Sequence, residues 1–261
     1  MKSERIQQIE QYIFSHEIVT MQELLDTFGI SMNTLRRDLN ELSARGSIEK
    51  VYGGARRKEA EPQRVDQLVS YSERNVRNPE QKDLIAGLAA SFVEEDDTIF
   101  IDTGTSTVPM LRHLKSFQHL TIITNSIYVL HSALEYPQFT IIGLPGRMKH
   151  KTASLVGEQC VEMLERYNIS RAFMACTAFS LDTGATNTTI EEFDIKKKVL
   201  ERSRENYLLV DASKFGKTSL LTFGRPEDFN CILTDSDPGE EYVQYFRRKG
   251  IRLVLPEPAL D

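Results

Sequence analysis

After residue 78 the chain alternates short β-branched runs with stretches of helical periodicity: "TIFID", "LTIITN", "FTIIG", "RAFMAC", "YLLVD", "CILTD" and "IRLVL". No other feature narrows the possible folds as far. A run that is apolar at nearly every position has no wet face, so each predicts a strand covered on both sides. The helical stretches between successive runs supply the crossovers that parallel strands require. The expectation is a doubly wound α/β domain with a mostly parallel sheet. Ligands of such sheets sit outside the carboxyl ends of the strands. Here those ends are small and polar: Asp102-Thr103-Gly104-Thr105-Ser106-Thr107, Asn125-Ser126, Gly143, Thr177 and Asp211.

"DTGTST" is the most specific of these ends. A glycine followed by three hydroxyl residues, leading into a helix expected near Val108-Pro109, offers backbone N–H groups, hydroxyls and a helix dipole to an anion, phosphate above all. The same residues would also serve as a plain helix cap. No G-x-G-x-x-G follows the strand, and "DASKFGKT" has Asp211 where a P-loop needs its first glycine, which argues against nucleotide hydrolysis. Further on, Arg147, Lys149 and Lys151 either reach an acidic ligand or form a solvated basic turn.

The first sixty residues have a different grammar. Ile6, Ile9 and Ile13 form one helical stripe. Thr20 and Glu23 make a capping box ahead of Leu24, Leu25 and Phe28, and Gly29 ends that helix. A third helix starts at Ser31, buries Leu35, Leu39 and Leu42, and stops at Gly46. At about 100° per residue its outward face carries Asn33, Arg37 and Asn40, with Thr34 and Arg36 on the flanks. Arg pairs bidentately with guanine and Asn with adenine, and the Thr methyl suits thymine, so this face has the chemistry of major-groove readout. "SIEKVYGGARR" then reads as a hairpin turning at Gly53-Gly54 with a basic tip, and Lys50, Tyr52, Arg56 and Arg57 are its candidate DNA contacts. The module reads as a winged helix-turn-helix, although short trihelical modules with a hairpin also serve as protein-interaction domains, which would show no salt-dependent DNA binding.

Charge distribution agrees. The whole chain has a formal net charge of −6, yet Leu35 to Lys58 holds seven basic residues against three acidic ones. With 261 residues, 40% hydrophobic and 27% charged, the chain suits one small and one larger globular domain. The limits expected are 1–58 for the DNA-binding domain, 59–77 for a charged linker containing Pro62, and 78–261 for the second domain. The latter opens with Asn78 as N-cap and Pro79 at N1, then Leu84, Ile85, Leu88, Ala89 and Phe92 on one face. Cys160, Cys176 and Cys231 read as buried thiols, and neither they nor the five histidines show metal-ligand spacing. No metal or cofactor is expected. "MKSERIQQIE" lacks the apolar stretch of a secretory signal, and no run is long enough to cross a membrane, so a cytoplasmic protein is expected.

"SMNTLRRDLNELSARGSIEKVYGGA" closely resembles the N-terminal signature of the DeoR family of bacterial transcriptional regulators. The resemblance makes Arg36 and Arg37 the recognition-helix arginines and Tyr52-Gly53-Gly54 the wing. Glu49-Lys50 stands where many members carry Arg. The second domain resembles the family's effector domain through "DTGTST", "TNS", "LVG", "EEFDIKK" and "DASKFG". That domain is related to ribose-5-phosphate isomerase and glucosamine-6-phosphate deaminase and senses phosphorylated sugars. The resemblance implies that Asp102, Gly104, Thr105, Ser106, Thr107 and Asn125 line the effector site and that Lys214 supplies a charge. Two turns depart from the family pattern: Gly143-Leu144-Pro145-Gly146, and Cys176-Thr177-Ala178-Phe179.

The expected function is therefore a DNA-binding regulator, a repressor of a carbohydrate or polyol catabolic operon, released from double-stranded operator DNA by a phosphorylated sugar or polyol and acting as a homo-oligomer. Within the family the chain is most similar to repressors of inositol catabolism, whose effector is a phosphorylated keto-sugar acid. The alternative is a sugar-phosphate isomerase or deaminase with an appended DNA-binding domain. It draws on Asp102, Glu191, Glu192, Asp211 and Lys214 as acid/base types, but no residue is assigned as catalytic.

Overall fold

The computed structural model describes residues 2–16, 18–58, 63–65 and 67–256, and the chain divides into two compact units, Met1–Glu61 and Pro62–Asp261. Residues 59–62 and 66 of the expected linker lie outside the described residues.

The first unit runs α1 (Lys2–Phe14), β1 (Val19–Thr20), α2 (Met21–Phe28), α3 (Met32–Ala44), β2 (Ile48–Val51) and β3 (Gly54–Arg57). Its core is the set of stripes read from the sequence: Ile6, Ile9 and Ile13 of α1, Leu24 of α2, and Leu35, Leu39 and Leu42 of α3, closed by Val19, Ile48 and Ala55. Each such side chain contributes about 2 kcal/mol on leaving water. The capping box forms at Thr20 and Glu23, and Gly29 ends α2 at φ 58°. Asp38 lies on the buried side of α3 and accepts hydrogen bonds from the Arg5 guanidinium at 2.7 and 3.2 Å, pinning α1 to α3.

The hairpin differs from expectation at its tip. Gly54 pairs with Val51 as the first residue of β3, so the turn is Tyr52-Gly53, with Gly53 at φ +81°. β3 lies between β2 and β1, and a Cβ on Gly54 would come 2.2 Å from the Val19 carbonyl oxygen, so the second glycine serves sheet packing and not the turn. Arg56 and Arg57 consequently lie along the strand, opposite Glu49 and Ile48, and the tip is Tyr52.

The second unit begins with β4 (Gln63–Arg64), α4 (Tyr71–Asn75) and α5 (Pro79–Ala90). Then follow β5 (Thr98–Ile101), α6 (Met110–His113), β6 (Thr121–Thr124), α7 (Ile127–Ser132) and β7 (Thr140–Gly143). A hairpin of β8 (Arg147–Lys149) and β9 (Ser154–Val156) leads to α8 (Glu158–Leu164), β10 (Ile169–Ala175), β11 (Ala178–Ser180), β12 (Gly184–Asn187) and α9 (Ile190–Arg202). The chain continues through β13 (Ser203–Leu209), β14 (Lys217–Thr218), β15 (Leu221–Gly224), β16 (Cys231–Leu233), α10 (Glu240–Lys249) and β17 (Arg252–Val254).

The seven apolar runs are the seven strands of one sheet, ordered β17-β16-β13-β10-β5-β6-β7, with each neighbouring pair parallel. Alternate residues of each strand enter different cores. Phe100, Ile123, Met174, Leu208 and Ile232 pack with Leu164 of α8, Ile195 and Val199 of α9 and Phe246 of α10. Ile99, Ile122, Phe173, Leu209 and Cys231 pack with Ile85 and Ala89 of α5, Met110 of α6 and Val129 of α7. The sheet is thus covered on both sides, and the strand order reverses between β5 and β10.

Three local expectations are corrected. Asn78 adopts φ 49° and makes no side-chain cap bond, although Pro79 does take the first helical position. The buried face of α5 carries Lys82, Ile85, Ala86 and Ala89, and Leu84 is exposed. The described residues read as linker are part of this unit: β4 pairs with β14, and the Tyr71 N–H donates to the Lys151 carbonyl at 2.8 Å.

Candidate functional site

In the first unit, Asn33, Arg36, Arg37 and Asn40 are exposed on α3, and Thr34 is half-buried with its hydroxyl 2.9 Å from that of Ser31. Arg36 and Arg37 have no hydrogen bond or ion pair among the described residues. The surrounding cations do have partners: Arg45 bonds Glu41, Arg56 bonds Glu49 at 2.8 Å, and Arg57 stacks over Phe14 at 4.7 Å. Lys50 donates to the Asn40 side chain at 2.5 Å, tying wing to helix, and Tyr52 stands fully in solvent at the tip. Two adjacent guanidinium groups on the first turns of a helix oppose its dipole. Exposed and unpaired, both side chains are open to an external polyanion.

In the second unit, a cavity of about 620 Å³ opens at the point where the strand order reverses, beyond the carboxyl ends of β5 and β10. Asp102, Thr103, Gly104 and Thr105 line it from β5, Ala175, Cys176 and Thr177 from β10, and Asp211, Ser213 and Lys214 from the end of β13. Asn187, Thr188, Glu192 and Lys196 close one side, and Val65, Gln67, Leu68, Val69, Arg74, Val76, Arg77 and Asn78 with Lys82 another. Six cationic side chains (Arg74, Arg77, Lys82, Lys196, Lys214 and Lys217) meet three carboxylates (Asp102, Glu192 and Asp211), an excess of positive charge within an acidic chain.

The carboxylates are all engaged. Asp102 is ion-paired with Lys196, both almost fully buried, and accepts the Ala175 N–H at 2.9 Å, and Lys196 donates to the Ala175 carbonyl at 2.7 Å. Glu192 accepts from Asn187 and Thr189, each at 3.1 Å. Asp211 lies 3.3 Å from the Lys214 ammonium. Burial pushes its carboxyl up, but Lys214, the Ser213 hydroxyl and Lys82 hold it below the usual carboxylate range. Burial, reinforced by Lys214, pushes the Lys82 ammonium down to about 8. Burial also raises the Cys176 thiol to about 11, so it is no thiolate nucleophile. The backbone N–H groups of Thr103 to Ser106 find no acceptor among the described residues, and the side chains of Ser106, Asn187 and Thr188 each keep a buried unpartnered oxygen. Gly104 permits the close approach of this loop to β10, since a Cβ there would lie 2.3 Å from that of Ala175.

Among the residues expected to bind effector, the cavity brings together Asp102, Gly104, Thr105, Thr177 and Lys214. Ser106, Thr107, Asn125, Ser126 and Arg147 are not among its lining residues. Ser106 and Thr107 are buried behind the loop, and the Thr107 hydroxyl donates to the carbonyls of Asp102 and Gly104. The helix expected near Val108-Pro109 is α6, with Pro109 as its N-cap, but it is only four residues long and offers little dipole to an anion. β6 ends away from the reversal point and is covered by the β8–β9 hairpin: Asn125 bonds both backbone groups of Leu155, and Ser126 caps α7. Arg147 is largely exposed and faces Glu191 at 3.6 Å, with Lys149 bonding the same carboxylate at 3.0 Å. The sequence reading missed Lys82, Lys196 and Glu192 as lining residues. Each sits on the buried stripe of its helix, Lys82 with Ile85 and Ala89, and Glu192 and Lys196 with Ile195 and Val199. A charge at a core position of an amphipathic helix was the available signal.

A family model of the DeoR-like helix-turn-helix domain matches residues 5–61, and one of the DeoR C terminal sensor domain matches residues 77–236. The chain is 41% identical over 255 residues to the HTH-type transcriptional regulator IolR of Bacillus subtilis (strain 168), covering 98% of this chain and 100% of that protein. It is 32% identical over 243 residues to the lactose phosphotransferase system repressor of Staphylococcus aureus (strain NCTC 8325 / PS 47), covering 92% and 94%. Among solved structures, ribose 5-phosphate isomerase A of Methanocaldococcus jannaschii overlaps 53% of this chain and 55% of its own, with a TM-score of 0.39 and 18% identity. Among the described residues no helix is long and apolar enough to cross a membrane.

Proposed function

This chain belongs to the DeoR family of DNA-binding transcriptional regulators, and we propose that it represses a carbohydrate or polyol catabolic operon and leaves its operator when a phosphorylated sugar fills the cavity. The observation that carries the effector half is the cation-rich cavity at the strand reversal, with free loop N–H groups at Thr103 to Thr105. Phosphate oxygens accept charge-assisted hydrogen bonds from such N–H and ammonium groups, and the hydroxyls and amides of Thr105, Thr177 and Asn187 suit a polyol chain. The sequence resemblance to repressors of inositol catabolism puts phosphorylated keto-sugar acids first among candidate effectors.

For the DNA half, Arg37, Asn33 and Asn40 read base edges, with Thr34 beside them. Arg36, Lys50, Tyr52, Arg56 and Arg57 contact the backbone and the neighbouring groove. A single winged helix covers few base pairs, so two or more copies bind repeated half-sites as a homo-oligomer. The effector acts by linkage: it shifts operator affinity by as much as it favours the DNA-free conformation. The isomerase or deaminase alternative is not favoured, because the cavity carboxylates are committed to lysines, amides or backbone N–H groups and the similar proteins are regulators.

Fluorescence anisotropy on DNA upstream of the gene, with phosphorylated sugars and their unphosphorylated parents, tests both halves. Release by a phosphorylated compound alone is the expected result. Equal release by the parent sugar would remove phosphate from the reading, and turnover of any of these compounds would revive the enzyme.

A further inference from the structure

Lys82 occupies an unusual position for a lysine. It lies in the first turn of α5, is 4% exposed, and faces the cavity alongside Asp211 and Lys214. Its ammonium donates to two backbone carbonyls, those of Arg74 and Arg77, each at 2.5 Å. Both carbonyls belong to the end of α4 and the residues after it, within the N-terminal part of the second unit that forms one wall of the cavity. At its other points this wall segment is held by backbone and ring contacts. Val65 exchanges bonds with Thr218 and Ser219, and Tyr71 stacks on Tyr128 at 4.0 Å. Among the described residues, Lys82 is the cation that ties residues 74–77 to the body of the unit.

We propose that Lys82 is both an effector contact and the anchor through which cavity occupancy reaches the segment of residues 65–78. This rests on the reading of the cavity as an anion site. An ammonium carries one more donor than the two carbonyls use, so an anion oxygen can be bonded without loss of either existing bond. With the cavity empty, the charge on Lys82 is disfavoured by burial and by Lys214. An anion beside it reverses that balance, strengthens all three hydrogen bonds together and fixes residues 74–77 against α5. Occupancy therefore becomes rigidity in the N-terminal wall of the sensor unit. Coupling by ordering needs no large displacement.

Amide hydrogen exchange on the full-length protein, with and without saturating inorganic phosphate, tests this. In the wild type, phosphate is expected to slow exchange in residues 102–106 and in residues 70–78, the latter by roughly tenfold. In Lys82→Gln the loop at 102–106 needs more phosphate to be slowed, and at the concentration that slows it fully residues 70–78 are still not slowed; Lys82→Arg, which keeps charge and donors, restores part of both effects. Slowing of residues 70–78 to the same degree in Lys82→Gln would overturn the inference and leave the anion site standing. So would a wild type in which phosphate protects the loop alone, a result that needs no variant to fold. A wild type in which phosphate protects neither stretch would overturn the cavity reading, and the role of Lys82 with it.

Discussion

Replacing Lys196 by Met removes one partner of the buried pair with Asp102 and leaves the other charge in place. Both side chains are at most 4% exposed, so water cannot take over the lost partner. Removing one member of a buried ion pair destabilises by about 3–5 kcal/mol. The variant also strands the Ala175 carbonyl, which receives the lysine at 2.7 Å, so the upper part of that range is expected. For a unit of this size each kcal/mol moves the midpoint by about 2–4 °C, which puts the loss of the second unit near 10 °C. Scanning calorimetry of the full chain reads it, and the transition of the first unit should not move. Adding Asp102→Asn to Lys196→Met removes the orphaned charge while keeping an acceptor for the Ala175 N–H. The double variant should regain about 2 kcal/mol or more, a coupling in the range found for residues in contact. A single variant that loses less than about 1 kcal/mol, or a double variant no more stable than the single, would show that the pair does not hold β5, β10 and α9 together.

Arg37→Ala should relax base preference at one operator position by about 1–3 kcal/mol, whereas Arg36→Ala should weaken binding to all sequences and flatten the salt dependence; anisotropy titrations on operator and random duplexes distinguish them. Arg5→Met leaves Asp38 buried without its guanidinium and should lower the urea midpoint of the first unit, with the second unit unaffected. Gly104→Ala drives a methyl into Ala175 and should abolish release by effector while operator affinity in its absence persists, read in the same anisotropy assay. The Lys82 ammonium, pushed down to about 8 from its ordinary 10.5, gives up its proton in the folded state before the unfolded chain does. The unfolded state binds more protons across that window, so this group makes stability rise with pH between about 8 and 10.5. Urea midpoints at pH 7.5 and 9.5 should show that rise diminished in Lys82→Met.

The strands of the main sheet were legible because burial on both faces leaves no room for polar alternation, and their residue types record it. Their order was not, since periodicity within a run says nothing about its neighbour. Without the order, every polar strand end looked equally close to the ligand, and Asn125 and Ser126 at the end of β6 were placed with Asp102 although the β8–β9 hairpin covers them. Short strands such as β12, with all four residues buried yet reading "GATN", give no apolar signal at all. Glycine misled in a narrower way. Gly53 and Gly54 look like one turn, but positive φ is needed at the first and absence of a Cβ at the second. The recognition face was legible from α3 alone because its geometry is local, and its leucines fix which way Arg37 points. The cavity is the reverse case: Lys82 and Lys196 look like surface charges until the helices that carry them are set against the sheet.

That contrast has a bearing on synthesis. The DNA-reading unit is complete by residue 61, and its contacts are mostly between segments close in the chain. Folding of such a module is fast, and a growing chain reaches this length early. The cavity draws on residues from 65 to 217, so it exists only once β13 and the turn after it have left the ribosome and crossed to the strand reversal. The helix-turn-helix unit can thus fold on each nascent chain before the cavity exists, and a product cut short ahead of Lys214 would lack part of the cavity's lining.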